Sequence, residues 1–367
     1  MATFVHTADI HLDTPFTARF TTDQASLRRK EVMQTFQRIC EAAKEAELFL
    51  ISGDLFDSRF VSSQTVAFLK RCFAQMPNTR VFIAAGNHDP RTKDSVYQTE
   101  IWGENVHIFG TEMEYVDIPE LQIRIHGCSF QEPHQEKTLL SALPLKAEWA
   151  NLLVMHGEIV AKGAESTYNP IEKQALMESG VEYAALGHIH LYQGVDRQGT
   201  VYYAYPGIPE GRGFDESGER GYLTGEVEKG SLRIEWNPVS GRKFICKELD
   251  VSKCSDGLML LSQLEKAIEE DGKEHIYRFI LTGTAEDGLV ETDILNQQLK
   301  EKAFSIELKN QTKPTYNIEE LAEESGLRGA FVAAMLAEIA KLPPEEKLIG
   351  QRALEIGLRT MDKGVQA

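Results

Sequence analysis

Leu48-Phe49-Leu50-Ile51-Ser52-Gly53-Asp54-Leu55-Phe56-Asp57 sets an apolar run against a glycine and two acids. The run reads as a short core strand, and Gly53 permits a tight turn that aims the Asp54 side chain into a cleft. Working outward, similar β-rich runs occupy 4–7, 81–85, 123–126, 152–155 and 183–186, while 26–45 and 62–75 carry apolar residues at helical spacing. Strands and helices in alternation predict an α/β layered fold up to about residue 240. The closely spaced runs 201–205, 222–227 and 232–236 predict antiparallel strands.

Four further motifs stand where core strands run out: Asp9-Ile10-His11, Gly86-Asn87-His88-Asp89, Met155-His156-Gly157 and Gly187-His188-Ile189-His190. Open α/β sheets bind ligands off the carboxyl ends of their strands. Asp9 and His11, like His188 and His190, are two apart, a spacing that turns both side chains of an extended strand end to one face. Carboxylate, imidazole and amide donors without thiolate suit Mn²⁺, Fe or Zn²⁺. Asp9, His11, Asp54, Asn87, His156, His188 and His190 are too many for one tetrahedral zinc. They fit two metals about 3.5–4 Å apart that share a bridging carboxylate.

In order, these motifs (D-x-H, G-D-x-x-D, G-N-H-D, H, G-H-x-H) resemble the calcineurin-like metallophosphoesterase superfamily across the first 190 residues. GDLFD at 53–57 looks like the SbcD nuclease branch; ENVHIF at 104–109 and GRGFDE at 211–216 look closer still to YhaO-type proteins. The resemblance implies an α/β fold with a layered β-sandwich core flanked by helices, a small α/β cap and a helical C-terminus. It implies that Asp9, His11, Asp54 and His190 hold one metal and that Asp54 bridges to a second, completed by Asn87, His156 and His188. His88 would protonate or stabilise the leaving oxygen. Asp57 would orient His88 and keep it cationic, since a nearby carboxylate raises an imidazole pKa. Some members of the branch carry a histidine where Asp57 stands, so their endonuclease activity does not carry over to this chain on the resemblance alone.

The implied function is a two-metal phosphodiesterase, a Mn²⁺-dependent DNA exo- or endonuclease subunit acting in DNA repair, with Fe or Zn²⁺ as alternative ions. The implied partners are DNA, an SbcC-like coiled-coil ATPase and a second copy in a homodimer. Two other readings stay open: an esterase acting on small-molecule or nucleotide phosphodiesters, and a mainly structural subunit of an ATPase complex. Ser58 stands where phosphoprotein phosphatases carry arginine, which speaks against a protein-phosphatase reading.

Length and composition bound the rest. A chain of 367 residues favours two or three domains. We expect a nuclease domain at 1–244, a small α/β cap at 245–313 and a helical segment at 314–367. The cap is read from strands at 245–251 and 277–282 with helices at 258–270 and 291–301. The helical segment is read as 318–324, 327–340 and 345–360, with 327–340 either core packing or a partner-docking face. No basic and apolar leader opens the sequence, no run is long enough to span a membrane, and five scattered cysteines lack C-x-x-C spacing. A cytoplasmic location is the expectation. The net charge of −17 argues against tight, unaided DNA binding.

Other residues have plainer readings. His6, His107 and His126 are expected as core histidines, with His6 also a candidate support for the site. Asp89 reads as a turn-stabilising residue before Pro90, with catalysis as its alternative, and Asp13 as either site support or a loop cap. Arg59, Arg91, Arg212 and Arg220 flank the site loops as candidate phosphate contacts. The acids at 319, 320, 323 and 324 read as a solvated helix face.

Overall fold

The computed structural model describes residues 1–286 and 289–364. The chain divides into two compact units, Met1–Ile245 with Glu274–Ile276, and the remainder from Cys246 onward.

The first unit is a β-sandwich. One sheet runs Ser231–Pro238, Gly221–Glu228, Ala2–Thr7, Leu48–Ser52, Arg80–Ala84, Val106–Ile108. The other runs Asp196–Gln198, Val201–Ala204, Tyr183–Gly187, Ala150–His156, Ile123–Gly127, Glu114–Ile118. In each, the inner strands are parallel and antiparallel pairing is kept to the margins. Parallel strands buried on both faces show up as unbroken apolar runs. That is why Leu48–Ser52 and Ala150–His156 have no exposed residue.

Alternation along each strand assigns its residues to two layers. Phe4, Leu48, Leu50 and Phe82 of one sheet meet Ile123, Ile125, Leu152, Val154 and Tyr183 of the other in a single buried cluster. Phe49 points the opposite way and stacks on Phe36 of the helix Thr22–Ala43, with the ring centroids 6.2 Å apart. Phe73 of the helix Ser63–Ala74 meets the same Phe36 edge-on.

Helices therefore flank the sandwich, as expected. The first begins at Thr22 because Thr21 and Gln24 form a reciprocal capping box, a start signal upstream of the apolar periodicity. Val201–Ala204 differs from its antiparallel reading. It pairs in parallel with Tyr183–Gly187 and antiparallel only with the short Asp196–Gln198.

Apart from Phe244, Ile245 and Ile276, which are counted with the first, the second unit holds a three-stranded sheet, ordered Phe244–Asp250, Ile276–Thr282, Ser305–Asn310, and the helices Gly257–Asp271 and Thr292–Leu299. Its last part is helical: Ile318–Glu323, Leu327–Lys341 and Pro344–Gly364. There Leu321, Val332, Ile339, Leu354 and Leu358 form their own buried cluster, so part of the face at 327–340 is packed internally. No helix among the described residues is long and apolar enough to cross a membrane.

Candidate metal centre

The inner strands of both sheets end at one rim, and the motif residues follow them there. The loops after Ala2–Thr7 and Leu48–Ser52 are zipped together by main-chain hydrogen bonds: Asp9 N to Gly53 O and His11 N to Asp54 O, both 3.0 Å, and Leu12 N to Leu55 O at 2.9 Å. Gly157 N donates to Gly187 O at 3.1 Å and joins the corresponding ends of the second sheet. Asp9, His11, Asp54 and His188 all have positive φ, between 51° and 107°. Such backbone costs roughly 1–3 kcal/mol per non-glycine residue and persists only where the surroundings enforce it.

Two glycines make the closure possible. A β-carbon on Gly187 would overlap the Ser52 carbonyl, and one on Gly86 would overlap the Asp54 carboxylate and main chain. We expect Gly187→Ala to destabilise the first unit by at least ~1–3 kcal/mol, the usual cost of overpacking. Urea unfolding of the metal-free protein measures it.

The structure brings Asp9, His11 and His190 together as one group and Asp9, Asp54 and His156 as another, the candidate donor atoms of each within 4.8 Å of one another. His11 Nε2 lies 3.3 Å from His190 Nε2. Asp54 Oδ2 stands 3.7 Å from His11 Nε2 and 3.5 Å from His156 Nε2, between the groups. Asn87 Oδ1 is 3.0 Å from His156 Nε2. Donors about 2.0–2.2 Å from a common ion are separated from each other by about 3.0–3.5 Å, so these residues fit metal ions. His188 stands a little apart from both groups. Its ring lies against Tyr168, centroids 4.8 Å apart, and meets His156 edge-on at 5.4 Å.

Behind the donors two of the imidazoles, His156 and His190, are fixed through their other nitrogen. His156 Nδ1 donates to Ser52 O at 2.8 Å, and His190 Nδ1 lies 2.6 Å from Glu216 Oε1. Partners of this kind set the tautomer and aim of a metal-binding histidine. Burial lowers the pKa of His11 and His156 and brings His188 down to about 3, so these rings are neutral, as coordination requires. Burial opposes the charged form of His190 as well, but the Glu216 bond and the Asp9 charge outweigh it and raise its pKa. Burial also raises Asp9, and lifts Asp54 to about 6.

His88 is exposed and meets buried His11 edge-on, centroids 4.8 Å apart. Asp57, His88 and His11 form a third group whose candidate donor atoms lie within 4.8 Å of one another. His88 Nδ1 bonds the main-chain carbonyl of Asp57 at 3.0 Å, whereas the Asp57 carboxylate accepts from Arg212 Nη1 at 2.7 Å. The carboxylate also lies 3.4 Å from His11 Nδ1.

Asp89 ties loops together: it accepts from Gly86 N, Phe56 N and the Tyr97 hydroxyl at 2.7, 3.0 and 2.6 Å. Asp13 supports the start of the helix Ser63–Ala74, accepting from the N–H of its cap residue Ser62 and from Thr65 Oγ1. His6 is a buried link between Tyr183 OH and Ser52 Oγ. Arg220 donates to three main-chain carbonyls, those of Glu216, Ser217 and His190, and staples the loop behind His190. Arg59 is exposed and lies over the Phe60 ring. Glu216 was not foreseen. It falls within 211–216, a stretch singled out by resemblance alone, and no local spacing ties it to His190.

Comparison with known proteins gives this arrangement its setting. The chain is 26% identical to an uncharacterized metallophosphoesterase, YhaO of Bacillus subtilis, over 303 residues, which cover 79% of this chain and 74% of that one. It is 22% identical to the DNA double-strand break repair protein Mre11 of Methanopyrus kandleri, covering 96% and 81%. With Mre11 of Aeropyrum pernix it shares 24% identity, covering 57% and 53%. Residues 2–192 match the calcineurin-like phosphoesterase family. They contain all five motifs, and the chain belongs to that family of divalent-metal phosphoesterases.

Proposed function

We propose that the protein hydrolyses phosphodiester bonds in DNA with a pair of divalent cations, Mn²⁺ foremost, bound at the rim of the sandwich. The observation that carries this reading is the convergence of Asp9, His11, Asp54, Asn87, His156 and His190 from both sheets, with exposed His88 beside them. Asp9, His11, Asp54 and His190 hold one ion; Asp54, Asn87, His156 and His188 hold the other. Bound there, the pair would neutralise phosphate charge and supply an ionised water at neutral pH.

The chain's own residues do the rest. Asp54 keeps its Oδ1 on the His88 main-chain N–H, 2.9 Å away, and this places its Oδ2 between His11 and His156. His88 donates Nδ1–H to the Asp57 carbonyl, and as a doubly protonated imidazolium it can hand its Nε2 proton to the departing oxygen and be left neutral. Exposure of His88 lets an extended polymer reach it.

A DNA substrate is supported by the two relatives named as double-strand break repair proteins. The net charge of −17 calls for a partner that adds grip. An SbcC-like ATPase docking on 314–367, with 245–313 as the cap over DNA and a homodimer as the working unit, fills that part of the proposal. The location is cytoplasmic.

We expect Mn²⁺-dependent cleavage of DNA, lost on chelation and restored by Mn²⁺. His88→Ala should lower the rate on the order of 10²–10⁴-fold and leave metal content unchanged. Full activity in His88→Ala would remove its proton-transfer role. Turnover of nitrophenyl monoesters in preference to diesters and DNA would overturn the nuclease reading.

A further inference from the structure

Two carboxylates outside the proposed donor set touch the far sides of its histidines. Glu216 Oε1 is 2.6 Å from His190 Nδ1, and Asp57 Oδ1 stands 3.4 Å from His11 Nδ1, the carboxylate oxygen facing a buried ring nitrogen that has no hydrogen bond of its own. The Nε2 atoms of the same two rings face each other at 3.3 Å. Arg212 joins the carboxylates. Its Nη1 donates to Asp57 Oδ1 at 2.7 Å, its Nη2 stands 3.5 Å from Glu216 Oε1, and its main-chain N–H donates to Glu216 Oε2 at 2.6 Å.

The base from which Arg212 springs is tied down on both sides. Buried Arg28 pairs with Glu210 at 2.9 Å and donates to the Gly211 carbonyl at 2.8 Å. On the other side, Arg220 holds the Glu216 and His190 carbonyls. A surface arginine that merely screens charge has no such scaffold. A planar fork spanning two carboxylates is a task lysine, with one point charge, does not perform.

We propose that Arg212, Asp57 and Glu216 form a clamp that positions His11 and His190, and so sets the affinity of one cation of the pair and not the other. The proposal rests on the two-cation reading above. It makes Asp57 the partner of His11 and Arg212, and leaves His88 to the Asp57 carbonyl. Arg212 is thus a positioning residue. Its charge alone would weaken cation binding, so the clamp acts through geometry.

Arg212→Lys separates the two effects, since it keeps the charge and loses the fork. Calorimetric titration of the whole metal-free protein with Mn²⁺ should give two binding constants in the wild type. In Arg212→Lys we expect one of them weakened roughly 10–100-fold, the range for loss of an outer-sphere partner, and the other unchanged. Glu216→Gln should weaken the same constant, and it keeps the question answerable if the lysine variant fails to fold. Two unchanged constants, or a loss confined to KM for DNA, would overturn the clamp and make Arg212 at most a substrate contact. A wild type that takes up no cation pair would instead overturn the reading beneath it, and the clamp with it.

Discussion

Asp54→Asn is expected to cut phosphodiester hydrolysis on the order of 10³-fold or more, because the several kcal/mol a paired site offers convert at about 1.4 kcal/mol per decade. The carboxamide can still accept the His88 main-chain N–H that Asp54 Oδ1 now accepts at 2.9 Å, so the loop should keep its path. What disappears is the charged Oδ2 between His11 and His156. Mn²⁺ stoichiometry should fall from two to one at most.

Metal-free stability should move the opposite way. Burial lifts the Asp54 pKa from 3.8 to about 6. A group whose pKa is raised on folding favours the folded state below its unfolded value and loses that contribution as pH climbs through the folded one. Metal-free wild type should therefore lose stability from this group between about pH 4 and 6, and Asp54→Asn should lack the loss and unfold at higher urea at pH 7. An inactive variant that is also less stable at pH 7 without metal would show a folding defect and remove the coordination argument.

The rim was legible in the sequence because its chemistry is written in short motifs that follow strong strands. Apolar runs such as Leu48–Ser52 announce buried parallel strands, and the residue after each strand has one place to go. The shortest strands were not legible. Asp196–Gln198 and Pro170–Glu172 are three residues long, too short to show a period, and pairing direction across Val201–Ala204 depends on its neighbours.

The supporting residues of the site were hidden for another reason. Glu216 reaches His190 across 26 residues of chain, and Arg212 reaches Asp57 across 155. No local pattern encodes such contacts. The motif at 53–57 does not tell which group of Asp57 bonds His88, its side-chain carboxylate or its main-chain carbonyl. Asp89 was readable as a turn residue, but its bonds to Phe56 N and Tyr97 OH were not.

Arg28 is the strongest case of a residue whose role only the fold reveals, and its removal should have the largest effect on stability. On the helix Thr22–Ala43 it reads as one more charged position, yet it is fully buried. Its partner Glu210 is 1% exposed and also accepts from Thr35 Oγ1 at 2.7 Å and Gly241 N at 3.0 Å. Glu31, the other carboxylate on Arg28, keeps Arg242 when Arg28 is lost. Arg28→Met thus leaves Glu210 as a buried charge served by neutral donors, and we expect a loss of about 3–5 kcal/mol in urea unfolding. Glu210→Gln in the same chain removes the stranded charge while its amide oxygen still accepts from Thr35 and Gly241, so the double variant should regain part of that loss. A double variant less stable than Arg28→Met alone would mean that Glu210 acts through its hydrogen bonds rather than its charge. Because Gly211 hangs from Arg28, Arg28→Met should also loosen Arg212 and weaken the same Mn²⁺ binding constant that Arg212→Lys does. Unaltered Mn²⁺ binding in a destabilised Arg28→Met would uncouple the buried ion pair from the rim.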